Sequence, residues 1–99
     1  MKLDKEIYKK LLHIPSGKIT SYGELAHSVG LKNGQRAIGQ ILKKNPFPVI
    51  IPCHRVVKSN RMIGGYAFGV DIKRNMLTKE VICIKNDKIE NFEKSFFRF

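Results

Sequence analysis

Three of the four prolines in this chain lie within residues 46–52, Pro-Phe-Pro-Val-Ile-Ile-Pro. Proline lacks a backbone N–H and restricts the residue that precedes it, so this segment is incompatible with a helix or with a central strand. It divides the 99-residue chain near its middle. We expect the segment to be buried and extended, and to hold the residues that follow it in a fixed place.

Apolar residues before this segment recur at helical spacing. The first set predicts an N-terminal helix and consists of Leu3, Ile7 and Leu11. Pro15 ends that helix, because it disfavours helical geometry at the preceding residue, and residues 19–20 are expected to form a short extended link. A second helix begins at the capping box Ser21-Tyr22-Gly23-Glu24, with Ser21 as the cap, and ends at Gly30.

A third helix is predicted from about residue 34 to residue 44. Asn33 can cap its N-terminus, and its apolar face consists of Ile38, Ile41 and Leu42. Two short helices joined by a short loop are typical of a helix-turn-helix, in which residues 34–44 would be the recognition helix. Many small helical domains contain such a pair, so the pattern does not by itself identify a DNA-binding protein.

The elements after the proline-rich segment are predicted to be short. They are a hairpin over residues 56–63, a loop over residues 64–69, a helix over residues 71–80 that Asp71 caps, and a second hairpin over residues 81–92. Together the predictions give one domain over residues 1–99. Its fold class is mainly α with small β elements, a winged-helix-like helix-turn-helix domain.

The charge of the chain indicates the chemistry of its partner. It carries 19 Lys and Arg against 8 Asp and Glu, a formal net charge of +11. A polyanionic partner relieves the self-repulsion of such an excess, so nucleic acid is the first candidate. An anionic membrane surface and an ordinary lysine-rich surface are the alternatives. The N-terminus lacks the apolar core of a signal peptide, so we expect a cytoplasmic protein with access to the nucleoid and no membrane partner.

The chain contains two cysteines, Cys53 and Cys83. The sequence contains no Cys-x-x-Cys and no His-x-x-x-His spacing, so no metal site is predicted. A reducing cytoplasm argues against a disulfide between them. Cys83 lies outside every motif and is expected to be a buried structural residue, the common environment of a free cysteine.

The clearest chemical signal is Cys53-His54-Arg55, directly after Pro52. Cysteine attacks as the thiolate, and an unperturbed thiol is only about a few per cent ionised near pH 7. An adjacent base and a nearby positive charge favour the thiolate, and His54 and Arg55 are residues of these types. The alternative is a buried structural cysteine beside a surface histidine.

Residues 52–56, Pro-Cys-His-Arg-Val, resemble the active-site signature of the O6-alkylguanine-DNA alkyltransferases, also called methylated-DNA–protein-cysteine methyltransferases. Other segments resemble further motifs of that family in the same order. They are Ser21-Tyr22-Gly23-Glu24-Leu25-Ala26, Arg36-Ala37-Ile38-Gly39, Asn45-Pro46, Gly65-Tyr66-Ala67-Phe68-Gly69 and the helix from Lys73 to Glu80. The resemblance covers about residues 4–80 and implies a single-domain form that corresponds to the family's catalytic and DNA-binding part.

The resemblance implies DNA repair by irreversible transfer of one alkyl group from O6-alkylguanine to Cys53. His54 would draw off the thiol proton through a water molecule, and Glu80 would orient His54. Tyr22 would donate a hydrogen bond to the departing guanine. By pattern alone, Glu80 is an ordinary helix-end carboxylate and Tyr22 a half-buried helix residue. No metal or soluble cofactor is implied, because the nucleophile is consumed.

The resemblance also implies a pocket for the alkylated base. Tyr66 would form an aromatic wall, with Pro48 nearby. The backbone carbonyls of Val56 and Cys53 would accept hydrogen bonds from the amino group of the base. The backbone N–H of Ala67 would face its O6 atom.

A base within a duplex must be rotated out before it can react, and the resemblance implies binding in the minor groove. Arg36 would fill the vacated stack, although by pattern alone it would contact phosphate. Ala37 and Gly39 give the recognition helix a slim face that suits the narrow minor groove or, alternatively, close packing against another helix. Asn45 would tie this helix to the active-site turn; by pattern alone it terminates the helix. The implied partner is double-stranded DNA containing O6-alkylguanine, bound by a monomer, with cooperative assembly on DNA left open.

Two other functions are compatible with these patterns. An alkyltransferase-like protein would bind alkylated guanine without reacting, but such proteins often carry tryptophan at the position of Cys53, and this chain has no tryptophan. A helix-turn-helix transcription factor would bind a defined sequence regardless of Cys53. The phenylalanine-rich tail, residues 81–99, is unlike the family's usual ending, and we expect it either to pack back onto the domain or to bind a partner.

Overall fold

A computed structural model of the chain describes residues 2–47, 50–66 and 68–99. The predictions for Pro48 and Ala67 therefore lie outside the described residues. The elements, in chain order, are α1 (Lys2–Leu11), β1 (Thr20–Ser21), α2 (Tyr22–Ser28), α3 (Gln35–Lys43), one turn of 3-10 helix (Cys53–Arg55), β2 (Val56–Val57), α4 (Val70–Lys79), β3 (Ile84–Lys85), β4 (Lys88–Ile89) and α5 (Phe92–Ser95). The predicted class, mainly α with small β elements, is confirmed.

Helices α2 and α3 form the predicted helix-turn-helix. The hydroxyl of Ser21 accepts a hydrogen bond from the backbone N–H of Glu24 at 3.0 Å and starts α2. Apolar side chains of α1, α2 and α3 share one core cluster, which contains Ile7, Leu11, Leu25, Ala26, Ile38, Ile41 and Leu42. This cluster fixes α3 with its opposite face outward.

The predicted caps of α3 and α4 are wrong. Gly34 is the N-cap of α3, where a Cβ atom would lie 2.7 Å from the Cβ of Leu31, so a side chain does not fit there. Asn33 instead adopts a left-handed φ of 54° within the preceding loop, which asparagine tolerates better than most residues. Gly69 is the N-cap of α4, and Asp71 lies within the first turn, where its charge favours the helix dipole.

Strand β2, which follows the 3-10 turn, pairs differently from the prediction. Strand β2 pairs in parallel with β1 rather than with residues 62–63, and Met62 forms a bridge to Lys88 instead. The successive side chains of β2 point to opposite faces, so Val56 enters the first core cluster and Val57 a second one, which also contains Leu77. Pairing with β1 buries both valines, and this explains why the predicted hairpin does not form.

The proline-rich segment is not buried and extended as predicted. Phe47 is 59% exposed and Ile50 is 72% exposed. The side-chain oxygen of Asn45 accepts the backbone N–H of Phe47 at 2.9 Å, and the N–H of Ile51 bonds to the carbonyl of Phe47 at 2.8 Å. These bonds make the segment turn rather than extend. Of its apolar residues that are described, only Pro52 is buried.

The tail packs back onto the domain, which was one of the two predicted alternatives. The backbone of Ile19 donates to Ser95 at 2.9 Å and accepts from Phe97 at 2.7 Å. The hydroxyl of Thr20 donates to the carbonyl of Phe97 at 3.1 Å. Residues 95–97 and β2 therefore both flank β1.

The terminal hairpin is confirmed with shorter strands than predicted. Strands β3 and β4 are antiparallel, and Asn86 and Asp87 between them have φ values of 52° and 58°, as a type I′ turn requires. The prediction for Cys83 is wrong, because its side chain is exposed. Ile82 is buried, and side chains alternate in extended backbone, so Cys83 points the other way. None of the described helices is long and apolar enough to cross a membrane.

Candidate active site

Cys53, His54 and Arg55 occupy one turn of 3-10 helix between buried Pro52 and β2. Such a helix has about three residues per turn, so three successive side chains diverge around it. Cys53 is 6% exposed and His54 is 1% exposed. The turn therefore sends neighbouring side chains to different parts of the structure.

The side chain of Cys53 borders a cavity of about 610 Å³. This volume lies within the range of small-molecule sites, about 300–1,000 Å³. The lining residues come from α2, α3, the active-site turn and the loop before α4, and are Tyr22, Gly39, Leu42, Lys43, Cys53, Gly65 and Tyr66. The structure therefore brings Cys53, Tyr22 and Tyr66 together and places α3 at the same cavity.

Two phenols face this cavity. Burial raises the pKa of Tyr22 and of Tyr66, and negative charge on Cys53 raises both further. The hydroxyl of Tyr66 is buried and has no hydrogen-bond partner among the described residues. Both groups therefore remain protonated at neutral pH and can act as hydrogen-bond donors.

His54 is held by Glu80 at the C-terminus of α4. The distance from Nε2 of His54 to Oε2 of Glu80 is 3.0 Å. Nδ1 is buried and makes no hydrogen bond within the described part of the chain. Burial lowers the pKa of His54, and the hydrogen bond and charge of Glu80 offset this only in part. The imidazole is therefore neutral near pH 7 and able to accept a proton.

Arg55 directs its guanidinium group to Glu80 and to the backbone of Ile14. Its Nε and Nη2 donate to the two carboxylate oxygens at 2.8 and 2.6 Å, and its Nη1 donates to the carbonyl of Ile14 at 2.8 Å. Burial raises the pKa of Glu80, but the hydrogen bonds from Arg55 and His54 outweigh this and leave the pKa below its usual value. Glu80 is consequently ionised at neutral pH.

Asn45 connects the end of α3 to the segment that enters the active site. Its Nδ2 donates to the carbonyl of Ile51 at 2.9 Å, and its Oδ1 accepts from Phe47. Ile51 in turn accepts the backbone N–H of Cys53 at 2.8 Å. Asn45 thus lies two hydrogen bonds from the backbone of the candidate nucleophile.

The positions of α3 singled out in the sequence lie away from its buried side. Arg36 and Ala37 are exposed and Gly39 is half-buried. A Cβ atom built at Gly39 would have no atom of the described residues within 4 Å. The alternative explanation of Gly39, close packing against another helix, is therefore wrong for the described structure.

Lys73 is a site residue that sequence reasoning missed. It is fully buried, and its Nζ donates to the carbonyls of Val56 at 2.7 Å and Gly65 at 3.0 Å. The sequence contained a signal, because Lys73 lies four residues before Leu77 and seven before Glu80, on one face of a helix. The described residues contain no group of three or more His, Cys, Asp or Glu side chains that could hold a metal ion.

Comparison with known proteins gives consistent matches. The family model described as 6-O-methylguanine DNA methyltransferase, DNA binding domain, matches residues 2–82. A methylated-DNA–protein-cysteine methyltransferase of Candida glabrata is 42% identical over 86 residues, which cover 87% of this chain and 42% of the relative. The chain spans about half the length of the curated relatives it matches.

Solved structures with a similar backbone include the following two. Mycobacterium tuberculosis OGT in complex with DNA gives a TM-score of 0.79 at 37% identity, covering 82% of this chain and 49% of that one. S. pombe Atl1, in complex with damaged DNA containing O6-carboxymethylguanine, gives a TM-score of 0.86 at 25% identity and covers 99% of this chain and 96% of its own. Because the family model matches residues 2–82, the chain belongs to the 6-O-methylguanine DNA methyltransferase family and corresponds to its DNA-binding domain.

Proposed function

We propose that this chain repairs DNA by transferring the alkyl group of O6-alkylguanine to the sulfur of Cys53, once per molecule. The observation that carries the proposal is the position of Cys53, a nearly buried thiol at a cavity of about 610 Å³. The adjacent His54 is neutral and held by a carboxylate, which is the arrangement of a general base with an orienting group. Relatives of similar sequence are named for transfer from methylated DNA to a protein cysteine.

The proposed reaction forms one bond and breaks one. Cys53 gives its proton, through a water molecule, to Nδ1 of His54, the ring nitrogen that does not contact Glu80. The thiolate attacks the carbon attached to O6, so the S–C bond forms while the C–O6 bond breaks and its electron pair stays on guanine. A hydrogen bond from Tyr22 stabilises this charge until the ring takes up the proton that the thiol released. The product thioether is stable, so the protein reacts once.

The same proposal assigns the recognition of the base. Tyr66 provides an aromatic wall, and the carbonyls of Val56 and Cys53 accept hydrogen bonds from the 2-amino group of guanine. Each of these carbonyls already accepts one hydrogen bond, from Lys73 and from the N–H of Val56 respectively, and a carbonyl oxygen can accept two. Pro48 and Ala67 remain predictions for this pocket.

Duplex DNA containing the damaged base is the proposed partner, approached through its minor groove by a monomer. Arg36, Ala37 and Gly39 form the outward face of α3, and the same helix borders the cavity. A flipped nucleotide therefore has a short path from the helix face to Cys53. Arg36 fills the gap in the stack, and Asn45 keeps α3 in register with the active-site turn.

Mass spectrometry of the whole protein tests the proposal. The protein is incubated with a duplex that contains one O6-methylguanine, and it should gain the mass of one methylene group, on the peptide that contains Cys53. Because Cys83 is exposed, Cys83→Ser is the matched control and should react like the wild type. Cys53→Ser should bind the duplex but gain no mass.

A second function, recognition without transfer, has support from one observation. The match to S. pombe Atl1 extends over nearly the whole of both chains, whereas the methyltransferase structures are matched over part of their length. In that case the protein would bind the methylated duplex tightly while Cys53 stayed unmodified. The same mass measurement therefore separates the two functions.

A further inference from the structure

Lys73 is the only lysine or arginine of the described chain that is fully buried. Burial lowers the pKa of its ammonium group to about 8, and negative charge on Cys53 opposes this shift. Removing a cation from water is unfavourable, and an apolar residue of similar length often packs at least as well. Stability alone therefore does not account for a lysine at this position.

The two acceptors of Lys73 belong to two different segments that each contribute residues to the cavity. Val56 directly follows the turn that carries Cys53, and Gly65 precedes Tyr66 in the loop before α4. Cys53, Gly65 and Tyr66 all line the cavity. One ammonium group thus joins the strand that follows Cys53 to the loop that carries Gly65 and Tyr66.

Helix α4 contacts the active-site segment at two points. Glu80, beyond the last turn of α4, binds His54 and Arg55, and Lys73 binds the carbonyl of Val56 about two turns earlier. This leaves the backbone of residues 53–56 little freedom to rotate. Lys73 occupies one lone pair of the Val56 carbonyl and so fixes the direction of the other.

We propose that Lys73 is a positioning residue that orients the Val56 carbonyl toward the 2-amino group of the alkylated base. Lys73 then contributes to the selection of guanine over purines that lack this amino group. The inference rests on the proposed function, and it assigns to α4 a part in reading the base as well as in orienting His54.

Two duplexes that differ in one base test the inference. One contains O6-methylguanine and the other O6-methylhypoxanthine, which lacks the 2-amino group. Single-turnover transfer rates are measured with the protein in excess. The 2-amino group has two acceptors in the proposed pocket, so the wild type should prefer guanine by about tenfold or more. Lys73→Met disturbs one of these acceptors and should reduce the preference by about fivefold.

Lys79→Met is the matched control, because Lys79 is an exposed lysine of the same helix; it should keep the wild-type preference. The preference is a ratio measured in one preparation, so it does not depend on the fraction of protein that folds. Lys73→Gln, whose amide can donate to one carbonyl, should retain part of the preference and serves if the methionine variant does not fold.

Two results overturn the inference. One is a preference that persists in both Lys73 variants while the two rates fall by the same factor, since that indicates a purely structural role. The other is a wild type that does not distinguish the two bases. A wild type that transfers from neither duplex contradicts the proposed function instead.

Discussion

His54 and Glu80 lie 26 residues apart in the chain, and Nε2 of His54 is 3.0 Å from Oε2 of Glu80. The same carboxylate binds Arg55 at two points. Arg55 thereby fixes the position of the carboxylate that orients the imidazole. The carboxylate can support His54 without becoming protonated, because Arg55 keeps its pKa low despite burial.

Replacing Glu80 by glutamine should slow transfer and move its pH dependence. We expect Glu80→Gln to reduce the transfer rate by about 100-fold, at the lower end of the contribution of a positioned base. Burial lowers the pKa of His54 and Glu80 partly restores it, so loss of the carboxylate charge lowers that pKa further. Rate against pH should fall off below pH 6.5 in the wild type and at still lower pH in the variant.

Glu93→Gln serves as the control for that experiment, because the ion pair of Glu93 with Arg61 is exposed. Its rate and pH profile should match the wild type. A shift of the acid limb to higher pH in Glu80→Gln would contradict the assigned interaction between Glu80 and His54.

Asn45→Ala should destabilise the fold and slow transfer together. The variant loses the bonds to the carbonyl of Ile51 and to the N–H of Phe47, which together contribute about 1–3 kcal/mol. Asn60→Ala removes one exposed bond of the same kind, to the N–H of Met62, and should change the free energy of unfolding by less than about 1 kcal/mol. Urea denaturation compares the two, and equal effects would show that Asn45 is an ordinary turn residue.

The stability of the protein should rise with pH in the range where Lys73 titrates. Its pKa is about 8 in the folded state against 10.5 in the unfolded state, so the unfolded state holds the proton more tightly. The free-energy cost of burying the charged ammonium group is fully present below about pH 8 and is lost as the pH rises toward 10.5.

Relative to Lys73→Met, the wild type should therefore gain up to about 3 kcal/mol in free energy of unfolding between these limits. Denaturation of both proteins from pH 7 to pH 10 measures the difference, in which the tyrosines common to both cancel. A constant difference would mean that the pKa of Lys73 is not lowered.

A conservative variant of Arg36 distinguishes two roles, filling the vacated stack and contacting a phosphate. Lysine keeps the charge but lacks the planar guanidinium group. If Arg36 fills the vacated stack, Arg36→Lys and Arg36→Ala should both slow transfer from duplex DNA by about tenfold or more, since unstacking a base requires a few kcal/mol.

Rescue of the rate by lysine would show phosphate contact instead. Lys44→Ala is the control, because Lys44 is an exposed cation at the end of the same helix. It should weaken binding for all sequences and lower the salt dependence by about one counterion.

Phe97→Ala should lower the free energy of unfolding by about 2–3 kcal/mol, less than for a fully buried phenylalanine. Phe97 is half-buried and packs against the first core cluster. Phe47→Ala, at a site 59% exposed, should change stability by no more than about 0.5 kcal/mol. Similar values for the two variants would mean that the tail contributes little to the fold.

Local patterns in the sequence predicted helices α1 to α4 and the terminal hairpin, because spacing, the Ser21 cap and the Asn86-Asp87 turn act over a few residues. The short helix α5 was not predicted. Residue types also identified Cys53, His54 and Glu80 as candidates, through resemblance to known motifs. The structure adds the 3.0 Å contact between His54 and Glu80 and places Cys53 at the cavity.

The side-chain positions that the sequence did not predict depend on packing between segments distant in the chain. The direction of Arg55 follows from the 3-10 turn, which sequence periodicity does not reveal. Lys73 was missed because a lysine is expected at the surface, and Cys83 was expected to be buried on the same kind of average. The burial of each side chain depends on what packs next to it in the fold. Lys73 lies against β2, whereas Cys83 is on the exposed side of residues 82–84.

The place of residues 95–97 beside β1 has a consequence for biosynthesis. A nascent chain can form α1, α2 and α3 while still on the ribosome, but β1 keeps an unpaired edge until these late residues emerge. Free strand edges are templates for association with other chains. Emergence of residues 95–97 therefore pairs this edge and, in the same step, protects the newly made protein from aggregation.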